Sequence, residues 1–251
     1  MALTLEKMME RTNTRRMNTL VRAIEAEDRD AIQRALSKGV DVNGWDKKGL
    51  TPLMHAASTQ NLDIIGLLIS GGANPRGRMR LFGRTEDGRP QEIEGSTALY
   101  FVYNKTWFAG GPTTVEPMKR LLDAGGDPND YNHRGETLLY EYIRHALCYS
   151  RRHYEAQQAG RDTSGPTLWK QTCIQIVKLL LTAGADPNRA GRHGATPLML
   201  TGRSTLLTKM LLDAGANVHL RDEEGRTALS HAEHPEVIRM LEEAEAEAVV
   251  Q

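Results

Sequence analysis

The chain has 251 residues and carries 32 basic against 32 acidic side chains, so it is long enough to bury a core and has no net charge. Phosphate binding needs a clustered excess of Lys and Arg, which argues against nucleic acid as the main partner. Two cysteines, Cys148 and Cys173, frame no disulfide scaffold, the start lacks a signal peptide's apolar core and no stretch has the length of a membrane span, so a reducing, cytoplasmic setting is expected.

Residues 1–16, with Met8-Met9 and Arg11, Arg15 and Arg16, predict a helix or a loose arm. The run Leu20–Asp28 then opens a first helical unit, which closes at Leu36-Ser-Lys-Gly39-Val-Asp41. From there two signatures alternate. Gly-x-Thr followed by an apolar residue occurs five times, ending at Thr51, Thr97, Thr137, Thr196 and Thr227. Each Thr can cap a helix by accepting a bond from an orphan first-turn N–H, and Pro52 and Pro197 follow where a missing N–H costs nothing. The closing signature, Leu-Leu ahead of Gly and then Asp or Asn, lies in Leu67–Asn74, Leu121–Asp127, Leu180–Asp186 and Leu211–Asn217. The leucines belong to an apolar helical stripe, and the Gly ends that helix in a left-handed conformation.

Between the signatures lies a helix pair too short to hide its own apolar face, so each unit must stack on its neighbours. Gly39 and Gly72 are 33 residues apart, and Thr51-Pro-Leu-Met-His-Ala-Ala followed by Asn61-Leu-Asp-Ile-Ile-Gly-Leu-Leu68 resembles the ankyrin repeat. The resemblance implies an all-α solenoid of stacked helix–turn–helix pairs with hairpin-like finger loops. Six pairs are expected over 17–45, 46–91, 92–131, 132–190, 191–221 and 222–245, a single repeat domain followed by a tail at 246–251. His234-Pro-Glu-Val-Ile-Arg-Met-Leu241 reads as the last helix.

The third and fourth units are about twenty-five residues too long for this pattern. Residues 76–94 lengthen the loop after the second repeat into a finger, and 104–117 lengthen the turn inside the third. Residues 146–167 extend the first helix of the fourth through Gln158 and add a Gly/Ser/Pro loop. In solenoids insertions map to loops beside the binding face, so the middle of the chain is where a partner is expected.

Ankyrin repeats have no fixed functional residues; the family implies a concave surface built from the turn tips and first helices. Eleven of the thirteen aromatic residues lie between Tyr100 and Trp169, and only Trp45 and Phe82 fall outside. Tyr100, Phe101, Tyr103, Trp107 and Phe108 in the third repeat, with Tyr140 and Tyr149 in the fourth, offer much contact area for little rotamer entropy. Tyr103 and Tyr142 also stand where the family usually carries a small residue, so the alternative for them is gap-filling. Basic residues join them: Arg78, Arg80 and Arg84 in the finger, the tips His133-Arg134 and Arg192-His193, and Arg144 and Arg152 on the fourth repeat. Together they fit an acidic patch on a protein partner. The alternative is an ordinary solvated face.

Glu141, His145 and Cys148 share one helix face, with His153 beyond, yet a metal site needs more donors than this and none is expected, nor any cofactor. No phosphate-cradling Gly loop, Gly-x-Ser-x-Gly elbow or HExxH is present, so no enzyme is expected. Glu141 and His145 are therefore placed with the partner-binding residues. The reading is a monomeric, non-catalytic module that binds one specific protein, with a dedicated inhibitor of bacterial immunity type as its sharper form. A scaffold that tethers without inhibiting, or RNA binding through the Arg-rich finger, are the alternatives.

Overall fold

The computed structural model describes residues 2–84, 90–108, 115–147 and 164–250, with side chains over 14–80, 95–103, 115–147 and 170–248. Helices follow one another in pairs: α1 (Ala2–Glu25) with α2 (Arg29–Ser37), α3 (Pro52–Thr59) with α4 (Leu62–Ser70), and α5 (Ala98–Phe108) with α6 (Glu116–Asp123). These build one compact unit that runs to residue 133. A second unit starts at residue 134 and holds α7 (138–147) with α8 (Ser164–Thr182) and α9 (Pro197–Leu200) with α10 (Thr205–Asp213). A single 3-10 turn (Leu229–His231) with α11 (Pro235–Val250) completes it. The span expected as one repeat domain thus divides by its contacts after the third repeat. The fold is an all-α repeat solenoid carrying one hairpin, in which β1 (Arg80–Arg84) runs antiparallel to β2 (Pro90–Glu94) with Arg80 opposite Glu94. No helix among the described residues is long and apolar enough to cross a membrane.

The two signatures act as their chemistry requires. Thr51, Thr97 and Thr137 accept bonds from the N–H groups of Met54, Leu99 and Tyr140 and so open α3, α5 and α7. At the other end of each pair, Gly39, Gly72, Gly125, Gly184 and Gly215 all have positive φ. Four of these ends form the same motif: Ala73, Gly126, Ala185 and Ala216 each donate back to a leucine carbonyl at 2.9 Å. The Asx turns that follow repeat too, Asp41, Asn74, Asp127, Asp186 and Asn217 each accepting from the N–H two residues on.

Burial obeys the register set by the closing Gly. Four and seven residues before it stand Leu68 and Ile65, Leu121 and Met118, Leu180 and Val177, Leu211 and Thr208, and all eight are fully buried. Leu67, which the sequence signature placed in this stripe, is one position out of register and only partly covered. Thr208 sits in the core because its hydroxyl bonds the Thr201 hydroxyl at 2.8 Å, which in turn donates to the Leu198 carbonyl.

Neighbouring repeats are tied by side-chain rungs. Asn43 donates to the Gly72 carbonyl (3.0 Å) and accepts from the Asn74 N–H (2.7 Å); Asn188 does the same with Gly215 (3.2 Å) and Asn217 (2.7 Å). Arg76, at the equivalent position of the second repeat, reaches the Gly125 carbonyl at 2.7 Å.

One expected feature differs. The Gly/Ser/Pro loop assigned through residue 167 ends earlier, because α8 already starts at Ser164. Pro166 is compatible with this, since a first-turn N–H has no helical partner to lose. Residues 2–16 are no separate arm but the front of α1.

The turn tips are held by a second device. Five residues before Thr51, Asp46 accepts the N–H groups of Lys48 (2.8 Å) and Leu50 (2.9 Å) and bonds the His55 ring at 2.9 Å. Asp222 does the same for Glu224, Arg226 and His231, the last at 2.9 Å. Burial alone would raise the Asp46 carboxyl, but the Leu50 N–H, the His55 ring and the Lys48 N–H outweigh it and hold it below its ordinary value.

Leu180→Ala and Leu211→Ala should each cost about 2–5 kcal/mol in denaturant unfolding, and Leu67→Ala clearly less. Because the Asp46 carboxyl is lowered in the folded state, its stabilisation is present above the ordinary aspartate pKa of about 3.9 and is lost as pH falls through the folded value. Melting temperature below about pH 4 should therefore decline less steeply for Asp46→Asn than for the wild type; equal slopes would show that the tip carries no linked proton.

Candidate protein-interaction surface

In the first unit, Gly49 brings the second repeat's tip against the base of the finger. Its φ is +75°, and a Cβ there would lie 1.9 Å from the Arg80 carbonyl oxygen, so only Gly permits the Arg80 N–H to reach the Gly49 carbonyl at 2.9 Å. Two cations are stacked as a result. The Arg80 guanidinium lies 3.6 Å from the centroid of the Trp45 ring, and the Trp45 indole N–H donates to the Arg78 carbonyl at 2.9 Å. Arg78 lies 4.1 Å over the Tyr131 ring.

Arg78 is also the partner of a buried carboxylate. Asp130 is fully buried, bonds the Thr97 hydroxyl and meets Arg78 at 2.9 Å, while Arg78 donates a second bond to the Gly95 carbonyl at 3.0 Å. Burial pushes the Asp130 carboxyl above its ordinary value, and the Thr97 hydroxyl and the Arg78 charge only partly offset this. Arg78 is thus built into the base of the finger, whereas Arg80 is exposed on its surface.

In the second unit the Asp–His device is absent from the tips of the fourth and fifth repeats and present at Asp222 in the sixth. In the fifth repeat Gly191 stands five residues before Thr196, as Asp46 and Asp222 stand before their capping threonines, and in the fourth Glu141 stands four residues after Thr137, as His55 and His231 stand after theirs. Tyr140 fills the space: a Cβ on Gly191 would lie 2.7 Å from its ring. With no Asp to hold it, this tip keeps the backbone bond from Gly191 to the Ala195 carbonyl that Asp46 and Asp222 make at theirs, but the Ala195 N–H reaches the Arg192 carbonyl in place of a carboxylate and His193 takes a left-handed φ of 54°. His193 is left protruding, its side chain 84% exposed. Arg192 folds back onto the buried Glu136 carboxylate, a pairing that makes the guanidinium still harder to deprotonate. Burial and the Glu136 charge raise the Tyr140 phenol.

Along α7, Glu141 and His145 are buried and bonded to each other at 3.1 Å, with Arg144 on the same carboxylate oxygen at 2.6 Å. Two buried carboxylates, Glu136 and Glu141, are therefore each covered by a half-exposed arginine.

The expected partner-binding residues fall into three groups. Tyr100, Tyr103 and Tyr140 are corrected from surface to core: they are 2%, 8% and 3% exposed, and Tyr100 meets Tyr103 edge to face at 5.7 Å. Glu141 and His145 are likewise buried, positioning Arg144 and not meeting solvent. Arg80, His133, Arg134, Arg192 and His193 are exposed, and Phe101, Arg78 and Arg144 are partly so. Trp107 and Phe108 lie on α5 and Arg84 on β1, but their side chains, with all of Tyr149, Arg152, Cys148 and His153, fall outside the described residues. Sequence reasoning missed Trp45, 39% exposed and stacked under Arg80, because it stands apart from the aromatic run. Burial pushes the Cys173 thiol up to about 12, so it stays protonated and unreactive at neutral pH.

A family model for ankyrin repeats in three copies matches residues 3–79 and 169–251, more than half of the chain. Mitochondrial disaggregase of Bos taurus is 28% identical over 164 residues, which are 57% of this chain and 24% of that protein, so the chain spans about a quarter of that relative's length. An ankyrin repeat domain from Acinetobacter baumannii AYE superposes with a TM-score of 0.63 at 22% identity, covering 90% of this chain and 97% of that one. The structure of a predatory endopeptidase from Bdellovibrio bacteriovorus in complex with an immunity protein matches with a TM-score of 0.52 at 22% identity and the same coverage. Both structural likenesses are of fold.

Arg78→Ala leaves Asp130 buried without its cation and should cost about 3–5 kcal/mol in urea unfolding, whereas Arg80→Ala should cost under about 1 kcal/mol. The Arg78→Ala loss should shrink at acid pH, since a carboxyl whose folded pKa is raised contributes stability in its protonated form, lost as pH rises through that value. An Arg78→Ala penalty that does not vary with pH would dissociate it from Asp130.

Proposed function

Because the chain belongs to the ankyrin-repeat family, whose fold is a protein–protein interaction module, we propose that it is a non-catalytic binder of one specific protein. The partner is engaged through the turn tips and first-helix faces of the middle repeats. One observation carries this reading. The Asp–His pair that fixes the tip at Asp46 and again at Asp222 is given up in the fourth and fifth repeats for the Tyr140–Gly191 contact and a protruding His193. A non-glycine residue held at positive φ costs stability, and such strain persists where a site depends on it. Arg134 is exposed in the same repeats, and an acidic patch is the complement it fits.

The sharper form is a dedicated inhibitor. Support comes from the idiosyncratic middle repeats, and from the fold shared with a structure in which an immunity protein is bound to an endopeptidase. At 22% identity that likeness supplies the motive for the test and not its result.

The test is an affinity capture from the source cell, with the wild-type chain beside Arg134→Glu/His193→Glu, a variant of exposed residues checked for folding by circular dichroism. A protein held by the wild type and lost from the variant by about tenfold or more is the expected outcome. Equal capture by both would remove the site from these tips. Adding the chain to the purified partner then separates the two forms: an inhibitor abolishes the partner's activity, and a tether leaves it intact.

A further inference from the structure

On the first helix pair, far in sequence from the middle repeats, α1 and α2 enclose a groove of about 380 Å³. Its rim is Arg15 and Arg16 on one helix and Arg34 and Lys38 on the other, and its floor is Ala31, Ala35 and Val40. Among the described residues no acidic side chain lines it and none of the four cations is in an ion pair. The buried face of α1, through Met17, Leu20, Val21 and Ile24, points the other way, so the groove is the outward side of the pair.

The groove selects its occupant by chemistry. Four clustered cations call for carboxylates or phosphates, and a floor of methyl groups calls for small apolar side chains between them. No aromatic side chain among the described lining residues is present to stack a base, which disfavours a single nucleic-acid strand. A helix that alternates acid with alanine satisfies both demands, and this chain contains one. The run Glu242-Glu-Ala-Glu-Ala-Glu-Ala248 lies on α11, with Glu242, Glu243, Ala246 and Glu247 exposed. Glu242 and Glu247 have no cation partner among the described residues, and Glu243 shares Arg239 with Glu236.

We propose that the α1–α2 groove binds α11 of a second copy, so that the chain self-associates head to tail. This replaces the expectation of a strict monomer. The two faces differ, so the contact is heterologous. Exposed ion pairs are individually weak and screened by salt, so the association is weak and ionic-strength dependent.

Sedimentation velocity of the full chain over a roughly hundredfold range of concentration tests this, in low salt and in about 0.5 M salt. Average mass should rise with concentration in low salt and fall back in high salt. Arg34→Glu/Lys38→Glu reverses the groove and Glu243→Lys/Glu247→Lys reverses the helix. Each variant alone should weaken association by about tenfold or more, and an equimolar mixture should recover it, since each then meets its opposite charge. A wild type that stays monomeric throughout overturns the proposal. So does association indifferent to both reversals, or a mixture that recovers nothing while both variants remain folded by circular dichroism.

Discussion

A helix of eight or nine residues, such as α4 or α10, buries one stripe of side chains and has no length left to close over it. Only the next pair can cover that stripe, so every unit here is incomplete alone. The need for cover dictates the register: apolar residues four and seven positions before a left-handed Gly, repeated in Leu68 and Ile65 as in Leu180 and Val177. Where a polar side chain occupies such a position, as at Thr208, it brings its own partner in Thr201. The caps, Asx turns and rungs are all placed relative to the same glycines.

That dependence explains what could be read from the sequence. Caps and helix ends are local events, written in adjacent residues, so Thr51 and Gly72 announce themselves. Leu67 shows the limit. A pair of leucines marks an apolar stripe, but which of two neighbours faces inward depends on counting back from the Gly, and in this repeat the count shifts by one. The tyrosines show it again. A ring is as fit for a gap in a core as for a surface, and composition cannot distinguish the two; packing put Tyr100, Tyr103 and Tyr140 inside. Trp45 was hidden for the opposite reason, because its importance lies in a contact with Arg80, which stands 35 positions away. The Asp–His device was legible in principle. Aligning the positions five before and four after each capping Thr shows Asp with His in the second and sixth repeats and neither in the fourth and fifth.

Buried carboxylates recur wherever the repeats depart from their pattern. Asp130 anchors the finger through Arg78, Glu136 holds Arg192 and Glu141 holds Arg144. Removing a carboxylate from water is costly, and an arginine with several fixed donors is the side chain best able to compensate. In each case the carboxylate fixes where an arginine lies. The irregular repeats are therefore irregular in sequence and yet well determined in geometry, which is what a surface needs if it is to bind without first having to organise itself.

The Arg76 rung has a consequence for how this scaffold can change. It joins the Gly125 carbonyl to the second repeat from the first residue of the finger, so the tie bypasses what is inserted after it. Closing a longer loop costs little once its ends are fixed, each doubling adding only about 0.6 kcal/mol. Beyond Arg80 the finger is thus a cassette: that part can be lengthened, shortened or exchanged for a foreign peptide while the join between second and third repeats is preserved. A lineage under pressure from a changing partner could rewrite this loop freely, and a protein engineer could graft a new one at the same place.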